Sequence, residues 1–132
     1  MGIEENKGVV REFFRRMNAG DPGVADMLTE DATWWVPHSS ELGGTHRGKA
    51  AVLALMGKGV ELYQPPLDVK VEEMVAERDH VAVQLVIEAK TAKGEPYRND
   101  YHFAFRVRDG RICAVREYVD TKYASEMLFG GR

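Results

Sequence analysis

Near the C-terminus the chain reads "AVREYVD", residues 114–120. In a strand, successive side chains point to opposite faces. Val115, Glu117 and Val119 then share one face, and Arg116, Tyr118 and Asp120 share the other. The second face suits water. The first is apolar except for one carboxylate. An acid on an apolar face that lines a cavity is desolvated, and desolvation raises its pKa toward the range useful for proton transfer near neutral pH. Glu117 is therefore the candidate general acid/base. The alternative is a buried acid satisfied by neighbours such as Asn99 or Tyr101 in a closed core.

The preceding strand helps decide which face is inward. Over residues 96–108, Tyr97, Asn99, Tyr101, Phe103 and Phe105 alternate with Arg98, Asp100, His102 and Arg106. A strict two-residue turn at Asp109-Gly110 would set Arg116 opposite Phe103. A type I turn with a Gly bulge shifts the register by one and turns Val115, Glu117 and Val119 inward. The apolar count selects the second. Glu88 has two readings. Alternation with Val81, Val83, Leu85 and Ile87 puts it outside, whereas a symmetric even-length hairpin around Lys93-Gly94 pairs it with Asn99, inside. It is carried as a second candidate acid. In "DATWWVP", Trp34 shares a face with Val36, and Trp35 points the other way. The candidate ligand wall is then Phe13, Met17, Trp34, Val36, Asn99, Tyr101, Phe103, Val115 and Val119, with His38 at the mouth. His38 and His46 flank a Gly-rich loop without a third ligand at suggestive spacing, so no metal is expected.

These residues need elements to hold them. Residues 3–18 show apolar residues at helical spacing: Val10, Phe13, Phe14 and Met17. Gly20 permits a left-handed cap, and Asp21-Pro22 begins a second, short helix through Leu28. "DATWWVP" is strand-like, residues 37–48 read as a loop, and 49–63 read as a second long helix carrying Val52, Leu53, Met56, Val60 and Tyr63. "QPP" breaks the chain. Four strands follow, with a phase shift between Val71 and Met74 that indicates a bulge. Residues 122–129 suit a short terminal helix. Helices grouped before a meander imply an α+β domain, with helices across the hollow side of a curved antiparallel sheet. Such a cone holds a pocket.

Composition bounds the function. The 132 residues suggest one domain, 1–132, of ordinary globular composition, 44% hydrophobic and 30% charged. A net charge of -3 and the lack of a basic stripe argue against nucleic acid. One cysteine, Cys113, excludes an internal disulfide and reads as a small apolar strand residue. No apolar run suits a signal peptide or a membrane span, so the expected location is cytoplasmic.

Five segments in this order, "VVREFFRRMNAGD", "LTEDATWWVP", "GTHRGKAAV", "YHFAFRVRDGRI" and "VREYVDT", resemble the nuclear transport factor 2-like superfamily. The ketosteroid-isomerase-like and SnoaL-like polyketide cyclase branches are the most similar. The resemblance covers nearly the whole chain. It implies a cone-shaped α+β barrel, no cofactor, and a homodimer through the outer sheet face. Ketosteroid isomerases place a tyrosine donor on the first helix, a base on the first strand and a carboxyl donor on a later strand. The matching residues here are Phe13, Val36 and Tyr101, which removes two of the three roles. Limonene-epoxide-hydrolase-like members use an Asp–Arg–Asp set with an orienting Tyr and Asn. Glu117 and Glu88 fall near the two acids, Val86 near the arginine, and Trp34 and Val36 near the orienting pair. Polyketide-cyclase-like members need mainly one acid/base for an aldol closure, which Glu117 suits. The expected protein is thus a pocket for an apolar, oxygenated small molecule, with isomerase, cyclase or hydrolase chemistry. A non-catalytic binding module and a dimerisation domain are the alternatives.

Overall fold

Each apolar stripe of the sequence has to find a partner surface, and one sheet supplies it. The structure is a computed structural model describing residues 2–130. Helix α1 spans Ile3–Asn18 and buries Val10, Phe13 and Phe14. Glu4 and Glu5 in its first turn and Arg15 and Arg16 in its last complement the helix dipole. Gly20 then turns the chain at φ +65°, and the Asp21 carboxylate accepts the Gly23 N–H at 2.8 Å to start a 3₁₀ helix, Pro22–Met27. Next come β1 (Leu28–Val36), β2 (Gly44–Arg47) and α2 (Lys49–Glu61). The meander is β3 (Tyr63–Glu77), β4 (His80–Thr91), β5 (Pro96–Arg108) and β6 (Arg111–Val119), followed by α3 (Thr121–Leu128).

The six strands form one sheet in the order β2-β1-β6-β5-β4-β3. The sheet curves around the helices without closing, an α+β cone. Its inner face packs against α1, and Phe13, Leu85, Phe105, Ile112 and Val115 are fully buried there. The Phe105 ring meets Phe13 and Phe14 edge to face at 5.9 and 5.5 Å. A register shift between Val71 and Glu73 marks the bulge expected in β3.

Three details differ from the sequence reading. Within the expected loop 37–48, Gly44–Arg47 pairs with β1 as a short polar edge strand. Its approach needs a glycine at 43, because a Cβ there would collide with the Pro37 carbonyl oxygen. The β1–β6 pair is parallel, in an otherwise antiparallel sheet. Helix α2 stops at Glu61, so Tyr63 opens β3 instead of closing the helix stripe.

The turn before β6 also differs in mechanism. Asp109 and Gly110 both have positive φ, 52° and 78°, as a two-residue type I′ hairpin requires. That turn pairs Arg108 with Arg111 and Val107 with Ile112. The one-residue shift comes later: Arg106 pairs with Ala114, which leaves Cys113 as the extra residue. Beyond this bulge Phe105 faces Val115 and Phe103 faces Glu117. Were Cys113 paired in the ladder instead, Arg116 would face Phe103 and point inward. Deleting Cys113 removes only the extra residue and leaves Ile112 opposite Val107 and Glu117 opposite Phe103. That variant is therefore expected to keep cooperative unfolding, as is Cys113→Ala, which should change stability by less than about 1 kcal/mol. Urea denaturation followed by tryptophan fluorescence checks both; loss of cooperative unfolding in the deletion would contradict the placement of the extra residue at Cys113.

Candidate functional site

The hollow of the cone is a cavity of about 270 Å³. Phe14 and Met17 of α1 with Leu55 and Met56 of α2 form the helix side. Trp34 and Val36 of β1, Tyr101 and Phe103 of β5, and Glu117 and Val119 of β6 form the sheet side, which Leu67 and Ile87 extend. Leu42, Leu128 and Phe129 border it from the loop after β1 and the end of α3. The aromatic rings brace one another. Trp34 stands edge-on to Phe103 at 6.0 Å, and Tyr101 stacks on Phe103 at 5.9 Å.

Glu117 enters this cavity because of the Cys113 bulge. Its Oε1 accepts the Trp34 indole N–H at 3.0 Å. Among the described residues no other side chain bonds the carboxylate, and neither oxygen is a buried unsatisfied atom, so Oε2 opens onto the cavity. Burial pushes the carboxyl from its ordinary 4.5 up to about 7, with the Trp34 N–H pulling the other way. Glu117 bonds neither Asn99 nor Tyr101, so it is no closed-core acid satisfied by those neighbours.

A second polar feature lies further along the wall. The hydroxyl oxygens of Tyr97 and Tyr101 are 2.7 Å apart, and those of Tyr63 and Tyr101 are 3.2 Å apart. Asn99 Nδ2 donates to the Tyr97 oxygen at 2.9 Å and to the Asp120 carbonyl at 3.2 Å. Burial raises the pKa of Tyr63, Tyr97 and Tyr101, so all three stay protonated near neutral pH. Tyr63 and Tyr101 line the cavity; Tyr97 stands behind them.

Of the residues named from the sequence, Glu117, Met17, Trp34, Val36, Tyr101, Phe103 and Val119 line the cavity. Others are placed elsewhere. Glu88 lies on the outer face, 3.2 Å from Lys70 Nζ and 3.3 Å from Arg98 Nε, and Lys70 chiefly holds its carboxyl below the usual range. The cause is a three-residue turn, Ala92–Gly94, in place of the even-length hairpin: Gly94 has φ +86°, and Glu88 pairs with Arg98. His38 is exposed and meets Trp35 edge to face at 6.3 Å, on the outer side. Phe13 and Val115 are fully buried behind the wall, and Asn99 reaches the cavity only through tyrosines. Sequence reasoning missed Tyr63, which it assigned to a helix. The signal was "YQPP": the residue before a proline is driven out of helical conformation.

The Glu117 shift has a testable sign. Below pH 4.5 the carboxyl is neutral in folded and unfolded chains alike. Between 4.5 and about 7 the unfolded chain releases its proton while the folded one keeps it, so stability falls. Above pH 7 the penalty levels off at about 3 kcal/mol, the two pKa values being roughly 2.5 apart. Glu117→Gln carries no such penalty. Urea melts should show the variant more stable than the wild type at pH 8, by up to about 3 kcal/mol, with the difference vanishing near pH 4.5. Equal stability at pH 8 would mean that the carboxylate is well solvated.

The SnoaL-like domain family matches residues 10–115. A nuclear transport factor 2-like protein from Burkholderia xenovorans is 31% identical, with 97% of this chain and 98% of that chain covered and a TM-score of 0.80. A protein provisionally described as a SnoaL-like polyketide cyclase from Jannaschia sp. is 18% identical over 96% and 92%, TM-score 0.82. One provisionally described as an isomerase from Bacillus subtilis is 24% identical over 98% and 95%, TM-score 0.84. The last two share the fold. No curated protein matches, and no helix among the described residues is long and apolar enough to cross a membrane. With residues 10–115, most of the chain, matching the family and the cone it implies in place, the chain belongs to the SnoaL-like domain family.

Proposed function

We propose that the protein is a cofactor-independent enzyme acting on an apolar, oxygenated small molecule, with Glu117 as general acid/base in isomerase or cyclase chemistry. One observation carries this: a carboxyl raised to about 7, pinned through one oxygen by Trp34, presents its other oxygen to a largely apolar cavity. A group with a pKa near the working pH exists in both states in useful amounts, so it can remove a proton and return it. The polyketide cyclase and isomerase descriptions of two structural neighbours agree with this reading.

The chemistry follows from the surroundings. Ionised Oε2 takes a proton from a carbon next to a carbonyl, and the electron pair moves to the carbonyl oxygen as an enolate. The protonated Glu117 can return the proton to another carbon, which completes an isomerisation. Alternatively the enolate carbon attacks a second carbonyl of the same molecule, and that oxygen takes the proton, which completes an aldol closure. The Trp34 N–H holds the carboxyl in one orientation throughout. The apolar wall holds the substrate in one pose, and such positioning alone removes much of a barrier.

A suitable first substrate class is ketones with an acidic neighbouring C–H, such as 2-tetralone. Proton NMR in D₂O reads the exchange of that C–H directly. Exchange should be accelerated by the protein, rise with pH through about 7, and fall about 100-fold or more in Glu117→Gln. Ligand binding should survive that substitution. Exchange that persists in Glu117→Gln would sink the assignment; ligand binding without exchange in the wild type would make the protein a binding module.

A further inference from the structure

We propose that Gly59 is a specificity-determining residue. The side chain it lacks makes room for the hydrocarbon part of an elongated apolar ligand, whose oxygenated end lies at Glu117 and whose other end points out between α2 and the start of β3. The inference deepens the small-molecule reading above and rests on it, but not on catalysis by Glu117.

The exposure of the lining residues shows where the cavity opens. Asn18, Gly20, Val60, Pro65 and Pro66 line it and are exposed, Val60 to 56%. They sit at the ends of α1 and α2 and in the first residues of β3. The side toward α3 is shut. Ala124, Leu128 and Phe129 line the cavity half-buried there. The Ser125 hydroxyl donates to the Glu41 carboxylate at 2.7 Å, and the Ser39 and Thr121 hydroxyl oxygens are 3.1 Å apart, so α3 is tied to the loop after β1. A ligand larger than the hollow therefore protrudes past the ends of α1 and α2. None of the five exposed lining residues is charged, and only Asn18 has a polar side chain, so this rim suits hydrocarbon.

Gly59 stands at this opening, and nothing in the fold calls for a glycine there. Val52, Leu55 and Met56 form the inner stripe of α2, and residue 59 falls on that stripe, one turn beyond Leu55 and Met56. A large apolar side chain is expected at such a position. Glycine in a helix interior instead costs stability. Two reasons for bearing that cost are absent. Gly59 does not have a positive φ, so no left-handed turn requires it. Outside its own helical turn a Cβ at 59 would meet no atom within 4 Å, so no neighbour needs the space. The space belongs to the cavity, which Gly59 lines. Gly57 also has open surroundings, but it is exposed and does not line the cavity, which makes it a comparison within the same helix.

A ligand that reaches both the carboxyl and the rim passes Gly59. A leucine at 59 would fill that path and leave the Glu117 end untouched. Each methylene buried along the path tightens binding about 4-fold, so the wild type should reward length.

The test compares 2-tetralone with 6-hexyl-2-tetralone, with binding read by quenching of tryptophan fluorescence, since Trp34 lines the cavity. The hexyl ketone should bind the wild type about 10-fold or more tightly than the parent. Gly59→Leu should weaken the hexyl ketone about 10-fold or more and the parent by less than about 2-fold. Gly57→Leu should change neither. Gly59→Ala, the milder change, should raise the midpoint of urea denaturation and weaken the hexyl ketone about 3-fold, which keeps the comparison available if the leucine variant does not fold. Equal binding of the two ketones by the wild type overturns the inference, as does a length preference that Gly59→Leu and Gly59→Ala both leave intact. So does equal weakening of both ketones, which would place residue 59 at the reactive end. A lower urea midpoint for Gly59→Ala would show that the fold itself needs the glycine, and it overturns the inference too. Failure of both ketones to bind the wild type overturns the small-molecule reading together with the role of Gly59. Failure of C–H exchange with the length preference intact removes only the role of Glu117.

Discussion

The phase of β6 is kept by a bulge at one residue, Cys113, and the carboxyl's place in the cavity depends on it. Side chains alternate with a period of two, so a residue taken into the ladder exchanges the two faces of everything that follows, and one left unpaired does not. Were Cys113 paired in the ladder, Arg116 would point at Phe103. With the bulge, Val115 joins the core with 1% exposure, Glu117 enters the cavity, and Arg116 lies over the Trp35 ring at 4.0 Å on the outer face. Both sides of the strand benefit from the same phase. The inner side buries an apolar residue, and the outer side gains a cation–π contact flanked by Tyr118. The bulge is thereby held by packing on two faces, while the type I′ turn before it only reverses the chain.

The inward carboxyl is a cost that the rest of the fold offsets. A residue chosen for stability at that position would be apolar, as Val115 and Val119 are. Among the described residues Glu117 keeps a single side-chain hydrogen bond, from Trp34, and that bond does double duty. It limits the penalty of burying the charge, and it fixes which oxygen stays free. The aromatic wall also serves twice: Phe14, Trp34 and Phe103 brace one another as core and exclude water from the acid as cavity lining. Removing water both raises the carboxyl's pKa and strengthens any polar contact a ligand makes there.

Much of this was legible in the sequence because it follows from period. The stripe Val10, Phe13, Phe14, Met17 gives α1 its bounds, and alternation gives β5 its inner face. The apolar count on "AVREYVD" gives the side on which Glu117 lies, although the responsible bulge is at Cys113 and not in the turn. What period does not encode is register between strands, and the misplacements trace to that. Glu88 turned on whether the 92–94 turn has two residues or three, and Gly94 in a left-handed conformation decides it. His38 follows a proline that ends β1, beyond any alternation. Tyr63 fits a helical stripe by spacing, and only the proline pair after it ends the helix early. The β2 strand is polar, short and at the sheet edge, so its pairing leaves almost no pattern to read.

The same accounting explains why the cavity's polar groups stand where they do. Phe13, which the resemblance to ketosteroid isomerases matches to their helix donor, is wholly buried between Trp34 and Phe105, at 6.2 and 5.9 Å, and does not reach the cavity. A hydroxyl there would have no ligand to meet and would have to be satisfied inside the core. Val36 does line the cavity, yet it has no titratable group. The polar groups that line the cavity stand on the strand side: the carboxyl on β6 and the hydroxyls on β3 and β5. Those hydroxyls can be buried because Asn99 and the Asp120 carbonyl anchor their chain of bonds outside the cavity. The first turn of α3 in turn holds Asp120, whose side chain accepts the Tyr123 N–H at 3.1 Å while Tyr123 stacks on Tyr97 at 5.3 Å. The terminal helix, which follows directly on the strand that carries the acid, is thus part of what orients those hydroxyls.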